Sequence, residues 1–148
     1  MIMKSLYRLS WVVALTLVLG CAEKKNPQAE IAAQNLNSAK ALFAAFNQHD
    51  WNKMADFYAK DALFLDPAYG KTWVKKNHEE FMDNYKWMQK SAPDIKDELT
   101  AIFAADDKVS IQFTSTGTTE GQQWSIPIST ILTFKDGKII KDATYYDK

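Results

Sequence analysis

The chain has 148 residues, 47% of them hydrophobic and 13% aromatic, which is the composition of one globular domain with a full-size core. Its 18 basic and 18 acidic residues cancel, and the sole arginine, Arg8, lies near the start. No basic stripe is therefore present to bind nucleic acid. Two histidines and one cysteine offer no metal-ligand spacing, so we expect neither a metal nor another cofactor.

The first twenty residues have the pattern of a secretory signal peptide. Lys4 and Arg8 supply a basic start, and residues 9–20 (LSWVVALTLVLG) form an apolar run that is too short for a membrane-spanning helix. The only cysteine of the chain, Cys21, follows directly. Removal of the signal peptide would leave the mature chain with a slight excess of acidic residues.

The end of the apolar run, VLGC, resembles the bacterial lipobox, in which the cysteine becomes the lipidated first residue of the mature protein. This resemblance implies lipidation of Cys21, a membrane as partner through the lipid anchor, and a position in the cell envelope facing the periplasm. Ala22 after the cysteine favours the outer membrane. Residues 21–28 then form a short polar tether. The alternative is an incidental thiol beside an ordinary signal peptide.

Three helices are predicted after the tether. Apolar residues recur at three- and four-residue intervals over residues 29–46, which predicts the first helix, and Asp50 has the chemistry of an N-cap for a second, shorter one. The apolar residues of the second helix are Trp51, Met54, Phe57 and Tyr58. The third helix is predicted within residues 71–90, and its apolar residues are Trp73, Phe81, Tyr85 and Met88. Both tryptophans are expected in the core.

Residues beyond 95 have the period-two pattern of an antiparallel sheet. Apolar and polar residues alternate over 109–114 and 124–135, with a turn between Gly117 and Gly121 and a tight turn at Asp136-Gly137. The last strand, residues 138–146, has one face made of Ile140, Asp142, Thr144 and Tyr146. Helices first and hairpin-linked strands afterwards predict an α+β fold in which the helices cover one face of the sheet.

Two carboxylates are candidates for chemistry. Asp66 ends the apolar strand of residues 62–65 and precedes Pro67, within the stretch FYAKDALFLDPAYG. In an apolar pocket its pKa would rise towards the range useful for proton abstraction, and Asp142 in the same pocket would make it one of a pair. The alternatives are that Asp66 caps the loop before Gly70 or pairs with a lysine, and that Asp142 is a solvent-facing strand residue.

Three segments resemble one known family. They are FNQHDWNKMADFYAKDALFLDPAYG, PDIKDELTAIFAADDKVSIQFTSTGTTEG and TFKDGKIIKDATYYD. Together they resemble the SnoaL-like polyketide cyclases of the nuclear transport factor 2-like superfamily, which has the ketosteroid isomerase-like fold. The likeness covers residues 38–147 and places the domain at 29–148. It implies a cone-shaped curved sheet whose concave face, closed by the helices, forms a deep pocket.

The resemblance also implies roles for single residues. Asp66 matches the general base of ketosteroid isomerase, Asp142 falls where the fold directs side chains into the cavity, and Tyr58 matches a supporting tyrosine of that family. The positions of the isomerase's oxyanion tyrosine and protonated acid match Leu42 and Thr130 here, which disfavours steroid isomerisation. Epoxide hydrolases of this fold need an arginine, and none is left after the signal peptide, which disfavours that chemistry as well.

Ring-bearing and polar residues on the predicted inner strand faces complete the candidate pocket. Trp124 and Tyr146 share these faces with Thr130 and Asp142, and rings with a few polar groups are the usual lining of a small-molecule site. We therefore expect the ligand-binding set Tyr58, Trp124, Thr130 and Tyr146.

Two hypotheses for function follow. The first is a membrane-anchored SnoaL-like domain that binds a small apolar carbonyl compound, with Asp66 as general base of an isomerase or cyclase type of reaction. The second is a non-catalytic envelope lipoprotein used for ligand carriage or protein interaction, because preorganised oxyanion donors are hard to name beyond Thr130 and Tyr146. A homodimer through the convex face of the sheet is a further expectation from the resemblance.

Overall fold

A computed structural model describes residues 26–147, which form three helices and one six-stranded sheet. The helices are α1 (Pro27–Asn47), α2 (Trp51–Ala55) and α3 (His78–Ser91). The strands are β1 (Tyr58–Leu65), β2 (Val74–Lys75), β3 (Lys96–Ala105), β4 (Lys108–Thr119), β5 (Gln122–Lys135) and β6 (Lys138–Tyr145). No helix in this part of the chain is both long enough and apolar enough to cross a membrane.

The strands are ordered β2-β1-β6-β5-β4-β3 across the sheet. Every neighbouring pair is antiparallel except β1 and β6, which run parallel. Register shifts interrupt the β3–β4 and β5–β6 pairings, and such bulges bend a strand and increase its twist. The predicted α+β fold, with helices packed on a curved and mainly antiparallel sheet, is confirmed.

Polar caps fix where each helix begins. The side chain of Asn26 accepts a hydrogen bond from Gln28 N, and Pro27 occupies the first turn of α1, where its missing N–H has no consequence. Asp50 caps α2 as predicted, since its Oδ1 accepts from Lys53 N at 3.0 Å. Asn77 and Glu80 form a reciprocal capping box at the start of α3.

The core lies between the helices and the inner face of the sheet. Its fully buried large side chains come from the three central strands and are Val109, Ile111, Leu132 and Ile139. Phe43 of α1 meets Phe113 of β4 edge to face, with ring centroids 4.8 Å apart, which holds the first helix against the sheet.

The second and third helices both differ from prediction at one end. α2 ends at Ala55, because Phe57 O accepts a hydrogen bond from Ile139 N at 2.9 Å and Tyr58 pairs with Ile139, so that β6 draws this segment into the sheet. α3 begins only at His78, so Trp73 lies outside it. Trp73 is 43% exposed rather than in the core, because it directly precedes β2, which pairs at the edge of the sheet.

Two strand details also differ from prediction. Gly117 lies within β4 and pairs with Trp124, while the turn itself is Glu120-Gly121, both with positive φ. A register shift in the β5–β6 pairing puts Ile139 rather than Ile140 in the core. The shift lies before Asp142, so the rest of the predicted inner face of β6 is preserved.

Candidate active site

A cavity of about 490 Å³ lies between the helices and the concave face of the sheet. This volume is within the usual range for small-molecule sites, roughly 300–1,000 Å³. The structure places on its wall all six residues predicted as catalytic or ligand-binding, namely Tyr58, Asp66, Trp124, Thr130, Asp142 and Tyr146. Their placement agrees with the sequence, whereas their roles stay predictions.

Asp142 lies at the centre of a hydroxyl network. Tyr58 OH donates to Asp142 Oδ2 at 2.8 Å, and the hydroxyls of Thr130 and Thr144 reach Oδ1 at 2.7 and 2.9 Å. Thr130 and Thr144 are cross-strand partners on β5 and β6, and Asp142 lies two residues before Thr144 on the same face. The period of the strands therefore assembles this network.

Two opposing effects act on the charge of Asp142. Burial raises the pKa of its carboxyl group, and the three hydroxyl donors and the nearby Asp66 charge modify that shift, the donors lowering the pKa and Asp66 raising it. The burial and the negative charge of Asp142 in turn raise the pKa of Tyr58 well above its ordinary value. The tyrosine thus stays a proton donor towards the carboxylate.

Asp66 combines the two roles that the sequence left open. Its Oδ1 accepts from Ala68 N at 2.6 Å, so the carboxylate does cap the turn that follows Pro67. The same oxygen accepts from Tyr146 OH at 3.0 Å on the cavity wall. Both hydrogen bonds within the described residues end on Oδ1, which leaves Oδ2 as the oxygen with acceptor capacity for a ligand. Burial and Asp66 raise the pKa of Tyr146 to about 12.

Two further tyrosines on the cavity wall were not predicted as site residues. The hydroxyl of Tyr69 accepts from Asn84 Nδ2 at 3.2 Å, and its own proton has no acceptor among residues 26–147. The hydroxyl of Tyr85 likewise has no hydrogen-bond partner in the described residues. Burial and the nearby carboxylates raise the pKa of both tyrosines, so both hydroxyls remain protonated donors.

A third carboxylate on the wall, Asp97, was also missed. It is only 8% exposed, and its Oδ1 has no hydrogen-bond partner among the described residues. Burial raises its pKa to about 7, and Ser115 opposes this shift only in part. The sequence signal was available, since Ile95 and Asp97 are two residues apart at the start of β3, but no face was assigned to that strand.

The metal prediction and the lipidation prediction stand differently. Within residues 26–147 no cluster of three or more histidine, aspartate or glutamate side chains could hold a metal ion. Each histidine instead contacts a main-chain carbonyl at 3.0 Å, His49 that of Ile95 and His78 that of Tyr58. Cys21 lies outside the described residues, so its lipidation stays a prediction.

The sequence was compared with family models, curated proteins and solved structures. Residues 39–141 match the model of the SnoaL-like domain. The chain belongs to this family. The match spans well over half of the sequence, and it confirms the family that residues 38–147 resembled. No curated protein sequence matches the chain.

Solved structures share the fold at low sequence identity. Bal32a from a soil-derived mobile gene cassette is 19% identical with a TM-score of 0.70, over 78% of this chain and 91% of its own. IdmH of Streptomyces antibioticus, proposed to be a polyketide cyclase, is 20% identical with a TM-score of 0.68, over 77% and 92%. A proposed SnoaL-like polyketide cyclase from Jannaschia sp. CCS1 is 18% identical with a TM-score of 0.67, over 79% and 88%. These likenesses show the fold alone.

Proposed function

We propose that this SnoaL-like domain binds a small, largely apolar carbonyl compound and removes a proton next to the carbonyl, with Asp66 as the general base. The observation that carries the proposal is the Asp66 carboxylate on a ring-lined cavity wall, with Oδ2 free of hydrogen bonds within the described residues. A carboxylate placed in this way can accept a proton from bound substrate.

The proposed step moves one proton and one electron pair. The C–H bond next to the carbonyl breaks, its proton forms an O–H bond with Asp66 Oδ2, and the electron pair moves to the carbonyl oxygen as an enolate. The uncommitted hydroxyls of Tyr69 and Tyr85 are the donors placed to stabilise that oxygen. Their raised pKa values make them hydrogen-bond donors rather than proton sources.

The enolate can then react in two ways. It takes the proton back at another carbon in an isomerase, or its carbon attacks a second carbonyl in a cyclase. Asp142 has both oxygens engaged by hydroxyl groups, so its role in this proposal is to hold Tyr58, Thr130 and Thr144 in place. The ligand contacts come from the predicted set together with Tyr69 and Tyr85.

The experiment that tests the base measures hydrogen exchange and needs no knowledge of the product. Benzylacetone and related ketones are incubated with the chain in deuterated water, and loss of the proton next to the carbonyl is followed by NMR. We expect exchange by the unchanged chain to be accelerated, and Asp66→Asn to slow it by roughly a hundredfold or more.

The matched control is Asp61→Asn on the same strand, whose exposed carboxylate only pairs with Lys75 at the surface. It should leave the exchange rate unchanged. Equal rates for the Asp66→Asn variant and the unchanged chain would overturn the assignment of the base. Binding of the ketones without any exchange would instead favour the second hypothesis, a non-catalytic carrier.

The envelope location is part of the proposal and rests on the sequence. We propose that Cys21 is lipidated and holds the domain on the periplasmic side of the outer membrane, with residues 21–28 as tether. Cys21→Ser should move the protein from the membrane fraction to the soluble fraction of fractionated cells. An unchanged distribution would remove the anchor from the proposal.

We also propose a homodimer through the sheet face that points away from the cavity. Large apolar side chains are exposed there, with Phe103 70%, Ile131 38% and Tyr145 51% accessible. Sedimentation of Phe103→Ser beside the unchanged chain tests this, since a dimer through this face should dissociate at higher protein concentration in the variant.

A further inference from the structure

The cavity wall carries an unbalanced negative charge. None of Asp66, Asp97 and Asp142 forms an ion pair within residues 26–147, where the ion pairs present lie at the exposed surface. The one lysine on the wall, Lys76, holds its ammonium group over the ring of Tyr69, 4.1 Å from the centroid. Carboxylates taken out of water need donors or cations, so this cavity is short of positive charge.

The three carboxylates are not equally short of partners. Asp142 has three hydroxyl groups within hydrogen-bond distance, and Asp66 accepts from Ala68 N and Tyr146 OH. Asp97 differs, because it is 8% exposed and its Oδ1 has no partner among the described residues. Asn47 bonds both main-chain groups of Asp97 at 2.8 Å, which fixes the strand but gives nothing to the carboxyl group.

The surroundings of Asp97 would suit a cation. Ser115 lies directly across from it on β4, and Phe113, two residues from Ser115 on the same face, meets the ring of Phe43. Tyr85 is close enough for its hydroxyl to interact electrostatically with Asp97. Aromatic faces and a carboxylate both attract a positive charge, whereas a neutral acceptor or an anion gains nothing from Asp97 in its ionised form.

We propose that Asp97 selects ligands that carry an ammonium group and binds that group on the β3 side of the cavity. The inference rests on the proposed function and deepens it, since the carbonyl compound then bears a cationic amine as well. Three strands separate β1, which leads to Asp66, from β3, which carries Asp97. The amine and the reacting carbonyl therefore lie on different sides of the cavity.

A matched pair of probes isolates the charge. Benzyltrimethylammonium and neopentylbenzene have the same shape, but only the first is a cation. Binding of each to the full chain is measured at about pH 8 by quenching of tryptophan fluorescence, since Trp87 and Trp124 line the cavity. We expect the cation to bind at least about tenfold more tightly, in line with the strength of a desolvated cation–π and carboxylate contact.

Variants then assign the preference to one residue. Asp97→Asn should abolish the preference for the cation, and Glu98→Gln, the same charge change on the neighbouring exposed residue, should keep it. Asp97→Ser repeats the test with a smaller side chain if the asparagine variant does not fold. Equal affinities of the two probes for the unchanged chain, or a preference retained without the Asp97 charge, would overturn the proposal.

Benzylacetone binding separates this proposal from the proposed function. If benzylacetone binds and exchanges its protons while the ammonium probe shows no preference, the Asp97 assignment is wrong and the proposed function stands. If the ammonium probe is preferred through Asp97 but no ketone exchanges its protons, the amine site stands and the proposed chemistry is wrong.

Discussion

Three aspartates on one cavity wall show how strongly local surroundings differentiate the same side chain. Asp142 is buried among three hydroxyl donors, Asp66 closes a turn and contacts Tyr146, and Asp97 is buried with an unpartnered oxygen. The first arrangement is that of a positioned, stabilised carboxylate. The second leaves an oxygen for substrate, and the third leaves an unmet demand for a cation.

Asp97 makes stability depend on pH. Its pKa is about 7 in the folded chain against 3.8 for the model value, so the folded state holds a proton that the unfolded state has already released. The stabilisation by this proton is complete below about pH 4 and is lost as the pH rises through 7, at a cost of up to about 4 kcal/mol. Asp97→Asn should therefore gain stability relative to the unchanged chain between about pH 4 and pH 8.

Urea unfolding at several pH values measures this difference. Glu98→Gln serves as control, because its exposed side chain lies on the other face of the same strand. A difference between Asp97→Asn and the unchanged chain that stays constant with pH would show that Asp97 does not hold its proton in the folded state.

Tyr58 should stabilise the fold through its hydroxyl group as well as its ring. Tyr58→Phe keeps the ring against Phe64 and Phe81 but removes the donor to Asp142 Oδ2. Loss of a hydrogen bond to a charged group costs about 1.5–3 kcal/mol. We expect a decrease of this size in the free energy of unfolding at about pH 8, measured in urea.

The matched control for Tyr58→Phe is Tyr145→Phe on the outer face. Tyr145 is 51% exposed, so removal of its hydroxyl should leave stability within about 0.5 kcal/mol of the unchanged chain. Equal effects of the two substitutions would mean that the Tyr58–Asp142 contact contributes nothing to folding.

At the scale of elements, a chain of side-chain hydrogen bonds fastens α3 over the cavity. Trp51 Nε1 donates to Gln89 Oε1 at 2.8 Å, Gln89 Nε2 contacts His49 Nδ1 at 3.0 Å, and His49 Nε2 contacts Ile95 O at 3.0 Å. The chain joins the α1–α2 turn, α3 and the start of β3. It holds Tyr85 at the cavity wall, where the ring of Trp51 stacks on it.

The elements that the sequence predicted well are those with an unbroken period. α1 and the alternation along β5 were readable, because each buries one face along its whole length, and period two also placed Thr130, Asp142 and Tyr146 on the cavity wall. The end of α2 was not readable, because Phe57 and Tyr58 continue the helical spacing while hydrogen bonding to β6 decides their conformation. Such tertiary contacts are absent from local pattern.

The site residues that were missed share the same cause. Tyr69 and Tyr85 count as ordinary aromatic residues until the fold brings their hydroxyls to one cavity, and the register shift between Leu99 and Ala101 obscures the alternation of β3 around Asp97. The sequence could therefore predict which strand faces line the pocket. It could not predict which polar groups would lack partners.

Gly117 tests the pairing of β4 with β5. A Cβ at this position would lie 2.5 Å from Cζ2 of Trp124, whose ring covers the glycine and whose Nε1 donates to Thr119 Oγ1 at 3.0 Å. Gly117→Ala should displace that ring and destabilise the fold by about 1–3 kcal/mol. Thermal unfolding measures the loss, and the affinity for benzylacetone should fall with it because Trp124 lines the cavity.

The double variant Gly117→Ala with Trp124→Leu supplies the control. With the ring removed, the alanine should cost little relative to Trp124→Leu alone. A cost that persists without the ring would place the cause in the backbone of β4 rather than in the contact with Trp124.

At the scale of the whole molecule, the cavity is enclosed by all three helices and most of the sheet. Its wall includes Leu42 of α1, Met54 of α2 and Tyr85 of α3, facing side chains from β3 to β6. Parallel pairing of β1 with β6 ties the early part of the chain to the last strand. The site therefore exists only when the whole domain is folded.

Ligand binding should consequently stabilise the domain as one unit. A ligand at about a hundred times its dissociation constant adds roughly 2.7 kcal/mol to the free energy of unfolding if it binds the folded state alone. For a domain of this size that gain corresponds to a rise in Tm of about 5–10 °C. Calorimetry with saturating benzylacetone should show a single transition at the higher temperature. The exposed-face variant Tyr145→Phe should shift equally. Two transitions, only one of which moves with ligand, would mean that the sheet and the helices unfold separately and that the cavity is formed by only one of them.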